Sequence, residues 1–352
     1  MNKQILLFGL TVLLAACNKE ETKPLDPIFL HGAYIVNEGG YGNNNGSITY
    51  INTSQSTATY NLFQQVNQRG AGDVIQYFSV SNDMGFIVAN NSQKVEVVDL
   101  KTFESLGTIL GTDYPRYFLG ISETKGYLTD GAFKGNVSVV DLTNFQIVKQ
   151  IIVGNGPENI LQVGEMVYVA NSGGWVSDST LSVISTKVDM VIKTILVGDN
   201  PTDLALDANG DVWVLCKGKV SYDQDWNLIG ETASRLIQIN ASDFSIKKDI
   251  EIGTLGDSFN PIRLAINSDG NTIYYLEAEG VYKHSIDDPN PSGQVFIEGA
   301  YYGLDLDPKD NTIYALKENG FDADGYAIRY REDGTMIDSI RVGIGPNGAA
   351  FN

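Results

Sequence analysis

Histidine and cysteine are scarce in this 352-residue chain, with two of each, and basic residues are outnumbered 24 to 43 by acidic ones. His31 and His284 have no cysteine or second histidine at ligand spacing, which excludes zinc, copper and haem-attachment chemistry read from motifs. A serine-histidine-aspartate triad would need one of these histidines beside the reacting centre, and neither stands in such a context. The net charge of −19 repels DNA, RNA and anionic lipid surfaces. Cys216, within the apolar run Val212 to Cys216, reads as a small buried hydrophobe without a disulfide partner. Stability therefore has to come from packing, for which the chain is long enough.

The one long apolar run lies at the start. Lys3 precedes Ile5 to Leu14, which is too short to span a bilayer and has the layout of a secretory signal. Leu14-Ala15-Ala16-Cys17 matches a lipobox, so residues 1–16 are expected to be removed and Cys17 to be lipidated. Two or more acyl chains, at about 0.8 kcal/mol per buried methylene, would make that anchor effectively permanent. Residues 17–27, containing Asn18-Lys19-Glu20-Glu21, Pro24 and Pro27, read as an acylated tether. The globular part is residues 28–352.

A turn-and-strand phrase recurs within it at about forty residues. Gln150-Ile151-Ile152-Val153-Gly154-Asn155-Gly156-Pro157 and Lys193-Thr194-Ile195-Leu196-Val197-Gly198-Asp199-Asn200-Pro201 are its clearest copies. A period of roughly 40–45 residues built from short alternating strands marks propeller blades. Inner strands are expected to start at Gly72, Pro115, Pro157, Pro201, Pro261, Tyr302 and Pro346. Proline suits the first residue of a strand, where its missing N–H removes no ladder bond. Second strands follow at Gly85 to Ala89, Gly126 to Thr129, Met166 to Ala170, Val212 to Leu215, Thr272 to Leu276 and Thr312 to Leu316. The stretch from Pro346 to Phe351 ends the chain with an inner strand and no blade to follow, while Gly32 to Thr59 offers three strands without an inner one. The expected fold is thus all-β: a seven-bladed propeller closed by the C-terminal strand completing the N-terminal blade.

The phrases Val167-Tyr168-Val169-Ala170-Asn171 and Ser138-Val139-Val140-Asp141-Leu142, with the Ile-Xaa-Val-Gly-Xaa-Xaa-Pro turns, resemble the YVTN/YncE-type seven-bladed propellers. Asn37-Glu38-Gly39-Gly40-Tyr41-Gly42-Asn43 is similar to the opening of propeller lipoproteins of Bacteroidota surfaces, some of which bind cobalamin and pass it to a TonB-dependent outer-membrane transporter. The lysine and acids after Cys17 resemble the surface-export signal of that group. The resemblance implies an outer-membrane, surface-exposed location, a transporter partner and a corrinoid ligand. It does not rest on any ligand motif.

Long loops cost entropy and are most often kept for binding. The long ones are Glu38 to Asn45, Gly131 to Asn136, Ser172 to Thr180, Lys217 to Ser234 and Glu318 to Tyr326, on the face shared with the inter-blade turns. They carry Tyr41, Phe133, Trp175, Tyr222, Trp226 and Phe321 among Gly, Asn and Ser, and the turns add Tyr114, Tyr117, Tyr301 and Tyr302 with Arg116 and Arg263. Rigid rings beside adaptable hydrogen-bonders form a recognition surface. Tyr41, Arg116, Tyr117, Trp175, Tyr222, Trp226, Arg263 and Tyr302 are the expected ligand contacts, with Trp175 foremost, and no catalytic or metal residue and no cofactor is expected. Some rings should tuck beneath their own loops, Phe133 and Phe321 first among them. Asp73, Glu158 and Asp203 begin inner strands and could converge on the axial channel, where paired acids can do acid–base work. Asp322-Ala323-Asp324-Gly325 begins like a calcium loop but lacks the closing glutamate, and reads as a solvated acidic loop. The leading expectation is non-catalytic capture of a corrinoid or glycan. A protein-docking scaffold is the alternative, and a lactonase or lyase a third.

Overall fold

Seven four-stranded antiparallel sheets and one two-stranded hairpin make up the described residues, 29–253 and 263–352 of a computed structural model. The signal segment, Cys17, the tether and Pro261 lie outside them. Blade 1 joins Ala33–Asn37, Ser47–Asn52 and Thr57–Thr59 to the inner strand Pro346–Phe351. Blades 2, 3 and 4 begin at Ile75–Ser81, Pro115–Ser122 and Pro157–Val163, and blades 5, 6 and 7 at Pro201–Leu206, Leu264–Ile266 and Gly303–Leu306. Each of the blades 2 to 7 runs through four strands in chain order, so the seven-bladed propeller expected from the repeats is the observed fold. The second strands fall where the alternation placed them, as in Met84–Ala89 and Met166–Asn171.

Closure is antiparallel and nearly continuous, pairing Ala33 with Phe351, Ile35 with Ala349 and Asn37 with Pro346, with one irregularity at Val36/Asn37. The strand Ala33–Asn37 therefore leaves no open inner edge. Packing repeats the same plan. Seven apolar clusters fill the spaces between neighbouring blades, and the one between blades 7 and 1 sets Tyr314, Leu316, Ala327 and Val342 against Ala33, Ile35 and Ile51. The aromatic cluster of Tyr34, Tyr50, Phe78 and Phe103 does the same between blades 1 and 2. Cys216 lies in the cluster between blades 4 and 5, and burial pushes its thiol up, as expected of a packing residue.

Three local features differ from the sequence reading. Blade 2 begins at Ile75, not Gly72, because Gly72 forms an isolated bridge with Gly46 and Asp73 turns to hold a loop. A short helix, Leu62–Asn67, buries Leu62 and Phe63 beneath blade 1. The segment after Lys217 folds into the hairpin Lys219–Tyr222 and Leu228–Thr232, inserted between the second and third strands of blade 5.

The face opposite the long loops is stitched by short polar turns. Ala208 N–H donates to the Gly270 carbonyl at 2.9 Å, and Ser268 N–H to Asn311 Oδ1 at 2.8 Å, tying blades 5, 6 and 7 in series. Asp207 also accepts the Trp213 indole N–H at 2.8 Å, so a turn carboxylate is committed to holding a buried ring.

Candidate functional site

The loop after Met166–Asn171 is built to present Trp175. Gly173 and Gly174 have φ of 95° and 59°, the left-handed region open to glycine. A Cβ on Gly174 would stand 2.1 Å from the Ala132 carbonyl oxygen, so only glycine allows the loops of blades 3 and 4 to touch. There Trp175 N–H donates to that same carbonyl at 3.2 Å. The Trp175 ring is left 68 % exposed, 6.4 Å from the Tyr114 ring.

The turn at Asp199 and Asn200 ties this loop to the hairpin of blade 5. Asn200, at φ 52°, donates its backbone N–H to the Asp178 carbonyl and its side-chain amide to the Gly218 carbonyl at 2.7 Å. Ser177 Oγ donates to Asn200 Oδ1 at 2.9 Å, and Ser179 and Thr232 hydroxyls both donate to Asp199. Between these walls opens a cavity of about 740 Å³. That lies within the ordinary range for small-molecule sites.

Six of the eight residues expected to contact ligand line it: Arg116, Tyr117, Trp175, Tyr222, Arg263 and Tyr302. The other two are elsewhere. Tyr41 is 79 % exposed on the blade 1 loop, and Trp226, 82 % exposed at the hairpin tip, touches the cavity only through its contact with Tyr222 at 6.1 Å. Tyr117 is a floor group, not a rim platform, since its ring is buried between blades against Tyr77. Phe133 does not tuck under its loop: it is 60 % exposed, on a loop whose backbone approaches closely at Gly131 and Gly135. Phe321 is half-exposed and packs edge-on against Tyr302 at 5.5 Å.

The cavity floor is a polar network around the axis. Arg116 donates to both Glu158 oxygens at 2.9 Å and to Gln76 Oε1 at 2.6 Å, and lies over the Tyr114 ring. A two-point guanidinium–carboxylate pair of this kind fixes both side chains. Arg263 donates to the Tyr117 hydroxyl at 2.6 Å. Burial disfavours the charge of Arg263, but Tyr117, Asp203, Tyr302 and Asp305 around it hold its pKa above the ordinary value. Burial pushes the Tyr117 phenol up to about 12, with Arg263 opposing. Tyr302 donates to Glu38, which also accepts from Asn347 Nδ2 at 2.8 Å, so this corner couples the cavity to the ring closure.

The three strand-initial acids do not act together. Asp73 accepts from the Gly42 and Asn44 amides and from Asn91, fixing the Glu38 to Asn45 loop. Glu158 is spent on Arg116. Asp203 does reach the axis, where it accepts from Asn159, Leu204 N–H and Leu264 N–H. Its neighbour there is Asp305, which sequence reasoning missed and which accepts the Ala349 N–H at 2.7 Å. Burial raises both carboxyls, Asp203 to about 6 and Asp305 to about 7. Asp324 pairs with Arg341 at 2.7 Å, and the described residues contain no cluster of acids, histidines and cysteines able to hold a metal.

Solved structures share this architecture at low sequence identity. A quinonprotein alcohol dehydrogenase-like protein of Bacteroides thetaiotaomicron is similar at 15 % identity and a TM-score of 0.65, covering 92 % of this chain and 78 % of its own. The periplasmic gluconolactonase of Pseudomonas aeruginosa is similar at 12 % identity and a TM-score of 0.61, covering 90 % and 98 %. Identities this low show a common fold alone. No curated protein matches the sequence. A family model described as a domain of unknown function, DUF5074, matches residues 31–340, and the chain belongs to that family.

Proposed function

We propose that this protein is a non-catalytic capture protein, anchored at the outer-membrane surface through Cys17, that binds a small molecule on its long-loop face and hands it to a TonB-dependent transporter. The observation that supports binding is the cavity of about 740 Å³, which is walled by loops of blades 4 and 5 and lined by six residues singled out for recognition. Its floor groups are already engaged with one another, as Arg116 with Glu158 and Arg263 with Tyr117, which suits holding a ligand better than attacking one. The anchor, the location and the transporter rest on the N-terminal sequence and on the likeness to Bacteroidota propeller lipoproteins. A corrinoid is the ligand that likeness suggests, and a glycan is the one that the exposed rings of Trp175 and Tyr222 favour.

Calorimetry of the mature chain against cobalamin, cobinamide and an oligosaccharide panel tests the reading. Micromolar or tighter binding of one of them is expected. Silence across the panel, with a transporter co-purifying, would replace capture by a docking scaffold. Turnover of a lactone or uronate that Glu158→Gln abolishes would replace it by an enzyme.

A further inference from the structure

The lining of the cavity holds more cations than carboxylates, although the protein as a whole is strongly acidic. The chain carries −19 overall, yet Arg116, Arg263, Lys217 and Lys219 line this space against the single carboxylate of Glu158. Glu158 is bound at two points by Arg116, so that pair is close to neutral, and Lys217 and Lys219 are the lining cations that remain. Neither lysine takes part in any ion pair among the described residues. Beneath Arg263, burial raises Asp203 to about 6 and Asp305 to about 7, so at neutral pH the first is largely and the second partly ionised. Together they offset the Arg263 charge, which leaves Lys217 and Lys219 as the uncompensated cations of the wall. Uncompensated cations on the wall of a partly enclosed cavity raise the local concentration of the opposite ion.

Around that charge the walls are of another kind. The Trp175 and Tyr222 rings face the opening, and Ser177, Asn200, Thr202 and Ser221 supply hydroxyl and amide groups. Rings against hydroxyl-bearing groups suit the apolar face and rim of a sugar. We infer that the site takes an acidic saccharide, a short polyhydroxylated molecule bearing a carboxylate or phosphate ester, with its anionic group toward Lys217 and Lys219 and its ring against Trp175 and Tyr222. Asp178, Asp199 and Asp223 stand on the surrounding loops, so a long polyanion meets repulsion at the rim that a short acid avoids. This inference rests on the small-molecule capture reading above and names the class of its ligand.

The test is calorimetry of the mature chain with trigalacturonate and its fully methyl-esterified form, and with glucose 6-phosphate and glucose, at 50 and 500 mM salt. At least one acidic probe should bind ten-fold or more tightly than its neutral counterpart, and high salt should weaken it. The double variant Lys217→Gln/Lys219→Gln should reduce that affinity about ten-fold, with an unchanged melting curve, and should remove most of the preference for the acidic probe over its neutral counterpart. Equal affinity for acidic and neutral partners overturns the inference while leaving capture standing, as does tight binding confined to a neutral glycan or corrinoid. Absence of binding by every small molecule defeats both together.

Discussion

Replacing Asp305 by asparagine should stabilise the protein at alkaline pH. The carboxyl sits at the axis near Asp203 and Arg263, and burial lifts its pKa from 3.8 to about 7. A raised pKa means that the folded state favours the neutral acid. The stabilising contribution is complete below pH about 4 and is lost as pH rises through about 7. In a dry site, that gap at about 1.36 kcal/mol per pH unit would amount to roughly 4 kcal/mol. Asp305 keeps part of its surface open to the channel, and water there reduces the figure to about 1–2 kcal/mol. Asparagine is neutral throughout and its carbonyl can still accept the Ala349 N–H. Thermal melts from pH 5 to 9 should show the wild-type midpoint falling across pH 5–8 more than that of Asp305→Asn, with the variant higher by about 2–4 °C at pH 8. A variant less stable than wild type at pH 8 would mean that Asp305 is ionised and paired with Arg263, and would refute the argument.

His284 should behave in the opposite sense. It is buried against Trp213, with neither ring nitrogen hydrogen-bonded among the described residues, and burial together with Lys248 lowers its pKa. Its neutral form stabilises the fold above pH about 6.5, and that contribution is lost as pH falls below it. His284→Phe should therefore gain about 1 kcal/mol at pH 5 in denaturant melts. Trp175→Ala should weaken ligand capture at least ten-fold with the melting midpoint within about 1 °C of wild type, since its ring is mostly exposed; a large stability loss would make the ring a core element. Gly174→Ala should lower stability by about 1–3 kcal/mol and also impair capture, because its Cβ meets the Ala132 carbonyl. Deleting residues 346–352 should abolish cooperative melting and cause self-association in size-exclusion chromatography, because Ala33–Asn37 becomes an open edge.

The blades were legible because each repeats a local pattern: alternating apolar strands, a proline at the inner start, and a glycine or asparagine in the turn before it. Pro115, Pro157, Pro201 and Pro346 begin strands as that pattern requires. The hairpin of blade 5 was not legible, since strands of four and five residues beside Gly218 resemble any polar loop. The helix Leu62–Asn67 is too short to display a helical period. In the site, exposed rings such as Trp175 could be picked from their polar, glycine-rich surroundings. Tyr117 could not be told from them, because strand alternation does not say which blade covers a side chain. Phe133 was misjudged for the same reason: whether a loop has space beneath it depends on backbone packing, not on composition.

Sequence alone determined the number of blades, the closure by the last strand and the scarcity of metal- or triad-forming residues, since all of these follow from chain order, local periodicity and residue counts. Tertiary structure alone decided which charges meet. Arg263 finds Tyr117 across 146 positions, Arg116 finds Glu158 across 42, and Asp305 lies beside Asp203 only because the ring brings its inner strands to one axis. Coulombic and desolvation energies depend on separation in space and on access to water, and a circular fold sets both independently of distance along the chain.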